Sequence, residues 1–558
     1  MDAREWHQPP ALHLFAGRPP AGVGIYAQQR RRGGLQSQTY RAVRGPNLPS
    51  SHWSNLHLYT SKIALHTAAV NAFATLILTA ACVFTAASAA HANPNDLPDM
   101  GSPAEAMLTM QDEYQIGRMI VRGLRDSDQI LEDPEVTDYI QSLGHRLSSQ
   151  ATDGSQRFNF FMMKENSINA FALPGGFIGV NSGLVLETKN ESELAGVMAH
   201  EIAHVTQRHI ARSIVAQSKS SLVSTAAMLA AILIGAAGGG GDAAMAGVAA
   251  AQSLAIQQQI SFTRSNESEA DRVGLNVLAN AGFDPNGMPT FFETMSRHAG
   301  GREINIPEML RTHPVNSTRI AETRERAEQL KVEPMPDTYS YALTRERLRV
   351  LATPPGEDPR EYYAAIIGNE PDATPAQVYG RGLALMLAGE PAKAVPIFQR
   401  LRDATPSITQ YHTALGQAQL LADQGDASLD TLKRARELFP RNVAVTVRYA
   451  ESLMRLGNAK RAHEILLDLF NVIAPTPEQA RLTALAANAA GDVADSYYYM
   501  SEYHLMSGDL PLAMNQLQLA LAVPKITSVQ RARFEARLDE IHEALPKRVA
   551  RQRQMERR

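Results

Sequence analysis

Apolar positions divide the chain into four successive stretches, the last three with a pattern. Through about the first sixty residues they follow none: this stretch is basic, rich in Pro, Gly, Gln and Ser, and carries the cluster Arg30-Arg31-Arg32. With neither a helical nor a strand period it predicts no packed structure. From Lys62 the text turns continuously apolar, IALHTAAVNAFATLILTAACVFTAASAA, and it ends in small residues around Ala90-His91-Ala92. From Asn93 to about Arg345 helical and strand spacings are mixed. From about Tyr379 onward nearly every stretch has helical spacing with Gly-Asp or Gly-Glu turns, and the Pro- and acid-rich break Thr353-Pro354-Pro355-Gly356-Glu357-Asp358-Pro359 separates these last two parts.

The apolar run behind Lys62, with its small-residue exit, reads as a secretory signal peptide cleaved before Asn93; a single transmembrane anchor is the alternative, since the run is long enough to span. No methionine occurs between Met1 and Met100, so a start downstream of Met1 also stays open. The predicted layout is a leader and signal peptide over 1–92 and a mixed helix-and-strand domain, the one that carries the chemistry, over 93–345. A linker with a first repeat-associated helix covers 346–375, helical repeats cover 376–545, and a basic tail covers 546–558.

In the repeat region the turn glycines Gly389, Gly425, Gly457 and Gly491 recur about every 34 residues, the period of a helix-turn-helix tetratricopeptide repeat, and Gly508 falls half a period later. Alanines follow the turns (Ala392, Ala394, Ala427, Ala459), and Pro406 and Pro440 end second helices. Such pairs bury their apolar faces only by stacking, which predicts a solenoid with a concave surface for a peptide or partner protein. The fold class expected overall is α+β, mainly helical: a mixed helix-and-strand domain followed by an α-solenoid.

Composition narrows the chemistry. The 558 residues, 44% hydrophobic, are enough for two or three domains, and a net charge of −3 gives no reason to expect a nucleic-acid partner. Cys82, the only cysteine, lies in the apolar leader, so after cleavage neither disulfides nor thiolate ligands nor a cysteine nucleophile remain. The cationic end (Lys547, Arg548, Arg551, Arg553, Arg557, Arg558) reads as a solvated tail or a contact for anionic lipid.

The chemistry then centres on one helix. Asn190 caps it, Glu193 three residues on suggests a capping box, and Leu194, Val197, Met198 and Ile202 give it an apolar face. A spacing of four puts His200 and His204 one turn apart, where both imidazoles can reach one Zn²⁺ at about 2.0–2.1 Å. Glu201 projects beside the metal, placed to take a proton from the attacking water. A second helical stretch, Asn266-Glu267-Ser268-Glu269-Ala270-Asp271, brings Glu267 and Asp271 to one face. A carboxylate from it would complete three protein ligands and leave the fourth position open, Asp271 could fix the tautomer of a ligating imidazole, and Glu269 reads as solvated. Two ordinary surface histidines are the plain alternative.

Together the text Asn169-Ala170-Phe171-Ala172-Leu173-Pro174-Gly175-Gly176, the stretch Val197 to His209, Glu267 to Asp271, and Thr312-His313-Pro314 resemble the membrane-associated zinc peptidase family that includes HtpX and the CAAX prenyl proteases. The resemblance covers most of Asn93 to about Leu330, and the repeats match periplasmic members built the same way. It implies a zincin-type peptidase domain and one zinc per chain held by His200, His204 and Glu267, with Glu201 as general base. It also implies that His313 can occupy the open metal position and hold the enzyme silent. Arg319, six residues on, is a candidate to stabilise the tetrahedral oxyanion, with a plain surface arginine as the alternative.

Two shorter readings complete the region. Phe158-Asn159-Phe160-Phe161 and Gly176-Phe177-Ile178-Gly179-Val180-Asn181 read as short strands flanking the Pro-Gly-Gly turn, one of them an edge strand able to pair with extended substrate. The Ala-, Leu- and Gly-rich stretch Leu222 to Ala251 predicts two helices on the core joined by a Gly loop, with membrane-surface contact as the alternative.

The resemblance implies hydrolysis of unfolded or misassembled proteins in the periplasm near the outer membrane, chaperone-like help to slow substrates, and repeats that engage the beta-barrel assembly machinery. Two rivals stay open: a repeat-based chaperone or adaptor with a latent zinc site, and a general periplasmic oligopeptidase.

Overall fold

The computed structural model describes residues 108–151, 156–213, 263–299, 307–366 and 373–544. The leader and signal peptide, the segment 222–251 and the basic tail lie outside the described residues.

The first described helix, α1 (Met110–Asp126), starts at a Thr109/Asp112 capping box, and α2 (Pro134–Ser148) starts at Asp133, whose side chain accepts from the Val136 N–H. Three strands follow, β1 (Asn159–Met163), β2 (Ala170–Leu173) and β3 (Phe177–Asn181), in the order β1-β3-β2. β1 runs parallel to β3 from Asn159↔Phe177, and β2 runs antiparallel to it from Ala170↔Val180.

This corrects one expectation. The strand that precedes the Pro174-Gly175-Gly176 turn is β2, while Phe160 and Phe161 belong to β1 on the far side of β3. The turn is a tight reversal: Gly175 and Gly176 have φ of 78° and 84°, and side chains there would meet Tyr114 Cα at 2.3 Å and Arg157 O at 1.9 Å. Only glycine fits that crowding and that conformation. β2 left no alternation to read because all four of its residues are buried.

The helices α3 (Ser182–Glu187), α4 (Glu191–Thr206), α5 (Arg264–Asn280), α6 (Gly287–Ala299), α7 (Glu308–Thr312) and α8 (Ser317–Gln329) complete this part. α4 is its axis. It packs against α2, α5, α6 and β2, and all of its residues but Thr206 are buried. Asn190 caps it through the Glu193 N–H, but Glu193 turns its carboxylate to the Lys189 N–H, so only half of the expected box forms. The surrounding core joins Ile140, Phe160, Ile178, Met198, Leu278 and Phe291, each fully or almost fully buried and worth about 1.5–3 kcal/mol.

One helix serves both halves. Along α9 (Tyr339–Leu351), Tyr341 and Leu348 pack into the core around α4, whereas Leu343 and Val350 join the first repeat core. After α10 (Pro359–Ile366) come the helix pairs of the repeats: α11 (Pro375–Leu387) with α12 (Pro391–Ala404), α13 (Thr409–Leu421) with α14 (Gly425–Leu438), and α15 (Val443–Arg455) with α16 (Ala459–Phe470). The last are α17 (Pro477–Ala489) with α18 (Val493–Met506), and α19 (Leu510–Ala522) with α20 (Ser528–Ala544). The fold is therefore the mainly helical α+β arrangement expected, with a small sheet beside the central helix and a helical-repeat array after it.

The repeats hold the first part through buried charge. Asp133 accepts from Arg347 Nε and Nη2 and from Arg448 Nη2, each at 2.7 Å, and Glu135 accepts from Arg448 Nη2 at 2.6 Å. Arg347 comes from α9 and Arg448 from α15, so the N-terminus of α2 is gripped by helices more than 200 residues away in sequence. At the other end of the array α1 docks too: Arg118 Nη1 donates to Leu505 O at 2.7 Å and Arg122 pairs with Asp509 at 2.7 Å.

Candidate metal centre

Two helices and one short segment bring the site together. α4 supplies His200, Glu201 and His204, all with zero exposure, and α5 supplies Glu267 and Asp271, one turn apart. The spacing of Glu267, Asp271 and Gly274 puts them on one stripe of α5. Gly274 lies where the stripe touches α4: a Cβ there would stand 3.1 Å from Ala199 O and from His200 N. A missing side chain thus lets α5 lie close enough to α4 for its carboxylates to reach the histidines. His313 enters from the end of α7, its N–H bonded to Met309 O at 2.8 Å.

The donor atoms converge. Ligand atoms of His200, His204, Glu267 and His313 all lie within 4.8 Å of one another, and all four residues are buried. His200 Nε2 and His204 Nε2 are 3.0 Å apart. Glu267 Oε1 stands 3.3 Å from His204 Nε2, and Oε2 stands 3.6 Å from His200 Nε2. His313 Nδ1 is 3.1 Å from Glu267 Oε1 and 3.4 Å from His200 Nε2.

Outer partners give the convergence its chemical meaning. Asp271 Oδ1 lies 3.0 Å from His200 Nδ1, and burial notwithstanding, His200 and Arg319 hold the Asp271 carboxyl below its usual range. A carboxylate only accepts, so His200 carries a proton on Nδ1, and Nε2, turned to His204, is the nitrogen that could ligate a metal once its own proton is lost. Such a cluster demands a positive charge. Burial disfavours the imidazolium of His200, yet Asp271 and Glu267 outweigh it and raise its pKa to about 10. Burial opposes the charge on Glu267 as well, and His313, His200 and His204 hold its pKa far below the ordinary value. A divalent ion with nitrogen and oxygen ligands at about 2.0–2.2 Å would satisfy the same demand, so the residues present fit a metal.

Glu201 stands apart from the ligand set. Burial pushes its carboxyl up, with His313 and His200 pulling it back, and His313 Nε2 lies 3.5 Å from its Oε1. Neither of its oxygens has a hydrogen bond of ordinary geometry, while the backbone of Ala172 in the edge strand β2 faces it. A buried acceptor without a well-formed hydrogen bond beside a metal cluster is a poor structural group but a usable base.

Arg319, considered above for the oxyanion, is tied up elsewhere. It grips Asp271 with Nε at 2.8 Å and Nη2 at 2.7 Å, donates through Nη1 to Glu267 at 2.7 Å and to Pro314 O at 2.9 Å, and lies over the Phe292 ring. With its donors spent on two carboxylates, it braces them rather than facing an incoming carbonyl. Glu269, expected in solvent, instead accepts from His209 at 3.1 Å and from Arg212 at 3.0 Å. His209, whose Nδ1 is 2.9 Å from His204 Nδ1, was not singled out by spacing, because it follows the helix after a turn rather than sharing its face.

Fold and site together define a metalloendopeptidase with an appended helical-repeat array. The family model described as Peptidase family M48 matches residues 134–327, and a tetratricopeptide-repeat model matches residues 419–486. The chain is 34% identical over 479 residues to the beta-barrel assembly-enhancing protease of Escherichia coli, covering 85% of this chain and 96% of that one. It is also 34% identical over 454 residues to a putative beta-barrel assembly-enhancing protease of Vibrio cholerae, covering 80% and 93%. The mitochondrial metalloendopeptidase OMA1 of Schizosaccharomyces pombe shares 29% identity over 188 residues, or 34% of this chain and 52% of its own. The chain belongs to the beta-barrel assembly-enhancing protease family, within the M48 peptidases.

Proposed function

We propose that the chain is a zinc endopeptidase of outer-membrane quality control, with His200, His204 and Glu267 as ligands of one zinc ion and Glu201 as general base. The observation that carries this reading is the buried convergence of three imidazoles and a carboxylate beside a second carboxylate that has no hydrogen bond of ordinary geometry. Zinc bound there would act as a Lewis acid, making water nucleophilic at neutral pH and polarising the scissile carbonyl. Glu201 takes the proton of the attacking water and returns it to the leaving amine. Asp271, braced by Arg319, keeps His200 in the ligating tautomer. β2 is an edge strand packed on α4, where an extended substrate can add as a further strand through main-chain bonds. Main-chain pairing tolerates many sequences and requires an unfolded segment, which supports unfolded or misassembled proteins as substrates.

The periplasm as the place of action is supported by the apolar leader with its small-residue exit and by the family. No helix of the described residues is long and apolar enough to cross a membrane. The repeats engage the beta-barrel assembly machinery and give chaperone-like help, a reading supported by the names of the relatives and by the repeat array. A latent site is the second reading, favoured by His313 lying among the ligand atoms: the repeats would then act as chaperone or adaptor until His313 leaves.

The test is cleavage of an unfolded protein by wild type and Glu201→Gln, with zinc content read on both. Cleavage should fall by about 10²–10⁴-fold with zinc retained, because Glu201 is a base and not a ligand. Loss of zinc from the variant would contradict that assignment. Zinc in both proteins with no cleavage by either would favour the latent reading.

A further inference from the structure

The two histidines of α4 are supported differently, and the second support carries an inference. α4 ends at Thr206, and Arg208 then adopts a left-handed backbone with φ of 52°. That conformation is unfavourable for a side chain of this kind and persists only where its surroundings hold it. Here they do: Arg208 Nε donates to Glu113 Oε1 at 3.0 Å and Nη2 donates to Leu108 O at 2.7 Å. The turn so held swings the next residue, fully buried His209, back under the helix, and its ring meets that of His204 at a centroid distance of 4.8 Å and an interplanar angle of 77°.

Three ring-nitrogen contacts then fix each proton. The nitrogens His209 Nδ1 and His204 Nδ1 are 2.9 Å apart, so one proton lies between them. Glu269 Oε2, 3.1 Å from His209 Nε2, also accepts from Arg212 Nη1 at 3.0 Å. As a carboxylate it only accepts, and His209 therefore carries its proton on Nε2. Its Nδ1 is left as a lone pair, the shared proton belongs to His204 Nδ1, and the His204 lone pair is directed from Nε2 into the cluster with His200 and Glu267. The opposite proton order would aim an N–H from His204 at the metal position.

We propose that His209, oriented by Glu269, is a positioning residue that fixes the ligating tautomer of His204, as Asp271 does for His200. This rests on the assignment of His204 as a ligand. It also explains why a buried histidine pairs with a half-exposed glutamate at the end of the active-site helix.

The experiment compares zinc release from the full chain to a competing chelator for wild type, His209→Leu, His209→Asn and His204→Ala, together with the melting temperature of each protein stripped of metal. His209→Leu removes the acceptor and should release zinc about 10–100-fold more readily, the range seen when outer partners of metal ligands are lost. His209→Asn places an oxygen acceptor near the position of Nδ1 and should recover most of the loss, with metal-free melting temperatures that do not follow the same order. If His209→Leu fails to fold, Glu269→Leu, at a half-exposed position, should still give a several-fold increase in release. Zinc held as tightly by the Leu variants as by wild type, or lost equally in His209→Leu and His209→Asn, would overturn the proposal. His204→Ala separates the two levels of the argument: if it too keeps zinc, the ligand assignment itself is wrong, and if it alone loses zinc, only the role of His209 is.

Discussion

Two buried charge clusters, one at the N-terminus of α2 and one on α4, teach different things. In the one between the peptidase part and the repeats, Asp133 and Glu135 face Arg347 and Arg448, and donors meet acceptors at 2.6–2.7 Å. Burial opposes the charge on Asp133, but Arg347 and Arg448 outweigh it and hold its carboxyl far below the usual range. In the cluster on α4 the ring nitrogens of His200 and His204 stand 3.0 Å apart beside the Glu267 carboxylate, and to one side Glu201 has no hydrogen bond of ordinary geometry. The first cluster is complete as it stands and binds parts of the fold together. The second is complete only with a cation and a reacting partner, which is how a site differs from a strut.

The comparison breaks most visibly if one arm of the complete cluster is removed. Arg448→Met leaves Asp133 and Glu135 buried with a single arginine and should cost about 3–5 kcal/mol in chemical denaturation, while metal retention by the folded fraction stays unchanged. A loss under about 1 kcal/mol would mean that water already reaches the pair. Glu267→Gln is the matching cut in the incomplete cluster. Stability of the metal-free protein should fall too, since Arg319 donates to the Glu267 carboxylate and His313, His200 and His204 favour its charged form, and zinc retention should drop by more than the roughly 10–100-fold expected from loss of an outer partner. Unchanged metal content would move the third ligand elsewhere.

What could be read from sequence follows the same division. Local periodicity reports what neighbours on one helix share, so His200 with His204, Glu267 with Asp271, and the recurring turn glycines were all legible. Contacts closed by the fold were not. Arg347 and Arg448 are ordinary helix residues until α9 and α15 meet Asp133, and Glu269 looked solvated because its partner His209 lies beyond a left-handed turn on another element. β2 was hidden for a different reason: four buried residues in a row show no period, and pairing with β3 was needed to reveal the strand. Arg319 was legible as a charge near the site, but its geometry, gripping Asp271 and Glu267 together, came only with the meeting of α5 and α8.

The approach of α5 to α4 sharpens the contrast at smaller amplitude. Gly274→Ala adds one methyl group where a Cβ would stand 3.1 Å from Ala199 O and His200 N, tighter than ordinary contact. We expect a cost of about 1–3 kcal/mol in stability from overpacking. Because the strain lies beside His200, kcat for peptide cleavage should fall more than KM rises. Equal activity per folded molecule would show that the helices can separate without disturbing the ligands.

The smallest expected effect tests whether the incomplete cluster is held shut by the chain itself. His313 follows α7, whose Met309 N–H donates to Ile168 O at 3.4 Å next to the start of the edge strand β2. Its ring lies 3.4 Å from His200 Nε2 and 3.5 Å from Glu201 Oε1, in the space that water and substrate would use. A self-ligand of this kind competes with substrate in proportion to the fraction of molecules in which it is seated. His313→Ala should therefore raise basal cleavage of an unfolded protein by about 2–10-fold, within the range that a modest population shift can deliver, and should leave Glu201→Gln inactive in the double variant. A fall in activity would give His313 a part in the chemistry itself, and the cluster would then contain two groups that act on substrate, Glu201 and His313, rather than one base and one plug.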